Sequence, residues 1–230
     1  MKRAANVLAC GVMDRDGIYG TRGTAVTWPE LETDPPGTGK TVREVSGRTD
    51  ATFRRIDFPA RALVLACEAA GVDEVLSEAQ RAETAICVET ELGSLTTDVD
   101  FQRSLRDDVV QAGIFPYSLT STSLGEVALR YQLRGPTLSI SVLDRSPGEG
   151  LREAIRMLEA GDAPFVIAGC ADAAREAAGG FDAEMRAVIA VLAPSGEGIG
   201  TIEWPEEGAP DPFAPLVELS RQRRSQRDPG

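Results

Sequence analysis

Thr137-Leu138-Ser139-Ile140-Ser141-Val142-Leu143 alternates hydroxyl-bearing and apolar side chains, the period of two that a strand requires. Gly135-Pro136 stops whatever precedes it. Ser146-Pro147-Gly148-Glu149 follows, with a cap residue, a proline suited to a first helical position and an acid three residues after the cap, so Ser146 and Glu149 can satisfy orphan amides reciprocally. Leu151, Ala154, Ile155 and Leu158 then recur at helical spacing until Gly161, and residues 165–170 form a continuous apolar run of strand length. Strand, helix and buried strand in succession predict a parallel pair with its crossover helix.

The same grammar extends outward in both directions. Residues 5–13 read as a buried strand and 14–50 as a loop-rich excursion of Gly, Pro, Thr and Glu. Asp57 is placed to cap an amphipathic helix whose stripe is Leu63, Ala66, Cys67 and Ala70, closed by Gly71. A strand over 82–89, a polar helix over about 97–110 and a helix carrying Leu124, Val127, Ala128 and Tyr131 follow. Beyond residue 170, segments 185–193 and 199–204 are expected as a final antiparallel pair joined through Pro194-Ser195-Gly196. The expectation is an α/β fold with a mixed, mostly parallel sheet and helices on its faces. It divides the chain into a domain over 1–210 and a flexible basic tail over 211–230.

Composition removes several chemistries. The 230 residues contain no histidine, which excludes imidazole as base, proton shuttle or metal ligand. A formal charge of -12 opposes nucleic-acid binding. Cys10, Cys67, Cys87 and Cys170 are widely spaced among apolar neighbours, as buried reduced thiols of a cytoplasmic protein would be. The apolar run around Cys10 is too short for an export signal or a membrane span, and it continues past Gly11 as a strand would. Pro35-Pro36-Gly37-Thr38-Gly39-Lys40-Thr41 imitates the end of a phosphate-binding loop, but Asp34 stands where the first glycine belongs and no buried strand leads in. No cofactor or metal is expected.

The run GIFPYSLTSTSLGEVALRYQLRGPTLSIS at 113–141, with a helix and then APFVIAGCADA at 163–173, resembles the N-terminal half of β-ketoacyl synthases of the thiolase fold. The resemblance covers roughly residues 50–193. It implies that the strand after Gly135-Pro136 crosses a dimer interface, presenting Leu138, Ile140 and Val142. It also implies that the family's nucleophilic cysteine, at the start of the next helix, falls here on Asp144. The second half-domain, which supplies histidines and a lysine in the family, lies beyond the point where this chain stops.

Near a helix N-terminus the dipole keeps Asp144 ionised, a poor acid and a weak nucleophile, so a capping or ion-pairing role fits it best. Ile114 and Phe115 fall on the family's acyl-tunnel stretch, whereas by composition alone Phe115 reads as ordinary core. Arg152 and Arg156 read as a solvated face beside Glu153 and Glu159. A lone half is expected to leave an apolar face uncovered, which points to association.

The implied function is a non-catalytic accessory subunit, paired as a hetero- or homodimer with a ketosynthase-type subunit and analogous to a chain-length factor. The pathway would be of fatty-acid, polyketide or aryl-polyene type. Two other readings stand beside it: an acyl-chain or acyl-carrier binding module acting alone, and a small acyl-transfer enzyme using Asp144, Ser146 or a cysteine. Neither nucleic acid nor membrane is an expected partner.

Overall fold

The structure, a computed structural model, describes residues 3–23, 25–27, 39–47, 50, 52–107, 110–142, 147–174, 184–206 and 208–227. Its centre is a sheet built from β1 (Ala4–Asp14), β2 (Gly17–Gly20), β3 (Val26–Thr27), β4 (Thr84–Thr90), β5 (Thr137–Ser141), β6 (Phe165–Ala174) and β7 (Glu184–Ala193), in the order β3-β2-β1-β7-β6-β4-β5. Strand β8 (Gly200–Glu203) pairs with β1 off this path.

Strand β4 lies between β5 and β6 and parallel to both, so the strand–helix–strand unit gives two parallel strands that are not the adjacent pair expected. Strand β7 runs antiparallel to β6 and to β1, so β5, β4, β6 and β1 all point one way. The antiparallel share is nonetheless larger than the sequence pattern suggests, because β2, β3 and β8 extend the sheet by antiparallel pairing. The expected pairing of 185–193 with 199–204 does not form. Instead, Asn6 of β1 faces Ala193 on one side and Thr201 on the other, so both late strands pair with the first strand.

Helix α1 spans Gly39–Ser46 and α2 spans Phe58–Ala70; α3 (Val72–Val75) and α4 (Glu78–Ala82) are short, and α5 (Leu95–Arg106), α6 (Thr120–Tyr131), α7 (Glu149–Ala160) and α8 (Ala214–Arg227) complete the helical layers. As the spacing predicts, Asp57 caps α2 by accepting the Ala60 amide at 3.0 Å, and Gly71 ends it with φ 73°.

Yet α2 is not amphipathic in place: every residue except Arg61 is buried. Its inner face touches β1 so closely that a Cβ on Gly11 would stand 2.0 Å from the Ala66 carbonyl oxygen. Its outer face is covered by Val26, by Val45 of α1, by Phe53 and by α6. The expected open apolar face of a lone half is therefore largely closed by the chain's own residues between 17 and 56.

That closure corrects the loop-rich reading of 14–50, which holds β2, β3 and α1. Short strands and one short helix among many glycines carry too little periodicity to register in a sequence window. The phosphate-loop look-alike lies mostly outside the described residues; its Gly39-Lys40 opens α1.

The flexible-tail expectation for 211–230 is corrected over its described part, 211–227, most of which is α8. Phe213, Leu216 and Ser220 are buried, and the Ser220 hydroxyl lies 3.0 Å from Cys10 Sγ and donates to the Leu216 carbonyl at 2.9 Å. Three buried contacts a turn apart suffice to dock a helix that its arginines make look soluble. With α7, this helix covers one sheet face, while α2 and α6 cover the other.

Candidate functional site

The C-terminal ends of β4, β5 and β6 meet the first turn of α7. Asp144 and Ser146 lie outside the described residues, so the nucleophile-equivalent position has no structural account here. What is described differs from the expected capping box. The helix begins at Glu149, its cap residue is Gly148 with φ 103°, and Pro147 sits in the turn before it. Glu149 pairs with Arg152 at 2.9 Å.

The acid that satisfies the helix start comes from another element. Glu89, near the end of β4 and 2% exposed, accepts the Gly148 amide at 2.9 Å on Oε1 and 3.0 Å on Oε2, and the Gly150 amide at 2.7 Å on Oε2. Burial pushes its carboxyl above the ordinary value, and the two amides and the Arg152 charge pull against that shift.

Arg152 is not a surface residue as expected. Its guanidinium is buried, donating to the Pro205 carbonyl at 3.1 Å and the Pro147 carbonyl at 3.3 Å. Arg156 is exposed and paired with Glu153. Beside Glu89, Asp172 of β6 accepts from the Thr90 hydroxyl at 2.7 Å and from the amides of Glu91 and Leu92 at 2.9 and 2.8 Å. Asp172 thereby holds the turn that leaves β4.

On the α2 side of the same strand ends lies a small pocket. Leu63, Val88 and Leu124 form its buried floor, and Thr120, Ser123 and Ser139 stand at its partly open rim. Apolar floor and hydroxyl rim suit a small apolar group better than an ion. Among the described residues, no group of three or more acids or thiols is arranged to hold a metal.

Strand β5 is the sheet's edge. Leu138 is 39% exposed, Ile140 is half-buried against the α7 side, and Val142 is buried, with its amide bonded to the Thr90 carbonyl at 3.0 Å. The three residues expected to form one interface thus grade from surface to core, and Val142 is committed inside the chain. Phe115, expected as core, is 59% exposed; its ring lies 5.4 Å from that of Phe101, and Leu119 beside it is also exposed. Ile114 is half-buried.

All four cysteines are buried thiols outside any disulfide. Burial pushes the Cys87 thiol up to about 12 and those of Cys67 and Cys170 well above the usual thiol range. No described helix is long and apolar enough to cross a membrane.

No protein-family model and no curated protein matches the chain. Solved structures do. The ishigamide ketosynthase/chain length factor aligns with TM-score 0.60 at 18% identity, over 83% of this chain and 62% of the other. The fold is that of the thiolase-like ketosynthases.

A type II polyketide ketosynthase solved with its acyl-carrier protein, AntDE:AntF, aligns with TM-score 0.55 at 16% identity, over 84% of this chain and 63% of that one. The chain thus spans somewhat less than two thirds of both. The Xenorhabdus doucetiae complex of the ketosynthase ApeO with its chain length factor ApeC contributes a chain that aligns with TM-score 0.57 at 14% identity, over 96% of this chain and 92% of its own length. The ketosynthase fold therefore also occurs in a chain of nearly this length.

Sequence reasoning missed Glu89, Arg152 and the docking of α8. The signal for Glu89 was present: an acid placed inside the apolar run Ala85-Ile86-Cys87-Val88-Glu89 needs a buried partner.

Proposed function

We propose that the chain is a non-catalytic, ketosynthase-like accessory subunit that pairs with an active ketosynthase in the cytoplasm, in biosynthesis of fatty-acid, polyketide or aryl-polyene type. The observation that carries this reading is the edge strand β5. Among the described residues it has β4 as its single strand neighbour, and it leaves Leu138 exposed. A sheet edge with exposed apolar side chains is a template for another chain.

Alpha-helix α6 packs on β5 and is led in by the turn that carries exposed Phe115 and Leu119, so a partner on this edge would also meet those side chains and close the pocket rim. The near full-length likeness to a chain of a ketosynthase/chain-length-factor complex supports the same choice of partner. Catalytic silence is supported by the absence of histidine, by the high thiol pKa values and by the carboxylate already seated at the start of α7.

The second reading is an acyl-chain or acyl-carrier binding module acting alone, which would use the same edge and the apolar floor beside it. Co-purification of the tagged chain from its native cell, with mass-spectrometric identification of a ketosynthase, tests the subunit reading. Leu138→Asp, at an exposed position of the edge, should abolish that co-purification while leaving the fold intact. A monomer by light scattering that retains no ketosynthase in either form would favour the stand-alone module.

A further inference from the structure

Of the thirteen residues of α2, only Arg61 and Glu68 carry a charge. Apolar side chains attract without direction, so an apolar helix surface tolerates more than one seating of its neighbours at similar cost. Glu68, fully buried, breaks that surface with a directional group.

Its Oε1 accepts the Arg130 Nε–H at 2.7 Å and the Tyr131 hydroxyl at 2.6 Å, from two consecutive residues in the last turn of α6. Arg130 also pairs with Asp50, whose other oxygen accepts the Thr52 amide at 2.7 Å and the Phe53 amide at 3.2 Å. Arg22, just after β2, stands 3.8 Å from Glu68 Oε2 and pairs with Asp73 at 2.7 Å. One carboxylate on α2 is thereby linked to α6, to the segment entering Phe53 and to the loop after β2.

The arrangement is poor for stability alone. Both hydrogen bonds fall on Oε1, and among the described residues Oε2 accepts none, so part of the cost of burying the charge is not recovered. We propose that Glu68 is a registry key: it fixes how α6, the segment entering Phe53 and the loop after β2 seat on α2, and supplies uniqueness of packing in place of net stability. Because α6 packs on β5, the key also sets the shape of the sheet edge that carries Leu138. It acts through contacts within the chain and holds whether or not a partner binds that edge.

The triple variant Glu68→Leu, Arg130→Met, Tyr131→Phe tests it. The replacements remove the buried charge and its two hydrogen-bond donors together, and leave Arg22 its pairing with Asp73. The urea midpoint should stay close to that of wild type, while the amide resonances of α6 should split into more than one cross-peak per residue. One sharp set of peaks overturns the proposal. So does a triple variant that does not fold, because the network's worth then lies in stability. Wild type gives an independent reading: the Arg130 Nε–H should appear as a single resonance that exchanges slowly with solvent, and two resonances, or exchange at the rate of a free arginine, overturn a fixed key. None of these outcomes bears on association through β5, which co-purification reads separately.

Discussion

Glu89 Oε2 accepts the Gly150 amide hydrogen at 2.7 Å across 61 positions of sequence, joining the end of a central strand to the start of the helix that follows the edge strand. Its pH consequence has a definite sign. Burial raises the folded carboxyl above its ordinary value of 4.5, so the native state holds the proton to higher pH than the unfolded chain does. The contribution of this group to stability is fully present below the ordinary value and is lost as pH rises through the folded value. Glu89→Gln should remove that loss. The stability of the Gln variant relative to wild type is expected to improve across this window in urea titrations at a series of pH values; a pH-independent difference would contradict the assignment.

Deletion of residues 213–230 distinguishes a docked helix from a free tail. Phe213 and Leu216 are buried, and full burial of each such side chain contributes about 1.5–3 kcal/mol. The deletion should therefore cost roughly 3–6 kcal/mol, and every 1 kcal/mol lowers Tm by about 2–4 °C in a chain of this size. Differential scanning calorimetry reads the change directly, and an unchanged Tm would restore the tail.

Arg130 of α6 tests the charge network under α2. Its Nε donates to Glu68 at 2.7 Å, it also pairs with Asp50, and the Tyr131 hydroxyl donates to Glu68 at 2.6 Å. Arg130→Met strands a fully buried carboxylate, a class of change that costs about 3–5 kcal/mol. The low end is expected because Arg22 remains 3.8 Å from Glu68. The double variant Glu68→Gln, Arg130→Met should recover part of the loss in a denaturation cycle.

Thiol chemistry gives a further check. With all four cysteines buried and three of them clearly raised, a disulfide reagent should react slowly with the native protein at neutral pH and with four thiols after denaturation. Rapid modification of one native thiol, or acylation by an activated thioester, would revive the enzyme reading.

The elements that were legible in the sequence are those whose cause is local. Asp57 and Gly71 bound α2 because a cap and a left-handed stop act within one turn, and β5 shows itself by strict alternation. The illegible parts depend on distant partners. Ser146 to Glu149 has the form of a capping box, but the helix start is satisfied from β4, which no window around residue 146 contains. Arg152 looked solvated because its acceptors are backbone carbonyls on either side of a fold-back. The short elements between 17 and 46 gain their order from covering α2, and α8 gains its order from Cys10 and its neighbours on β1.

Strand β1 finds a near neighbour only along Gly11 to Asp14, in β2, whereas its other partners, β7 and β8, come from residues 184–203. Completing that strand joins distant parts of the chain, as does the contact of Cys10 with Ser220 across 210 positions. Such long loops slow folding and lengthen exposure to aggregation. A chain cut before Glu184 should keep the pairing of β1 with β2 but leave the opposite edge of β1 without its mate.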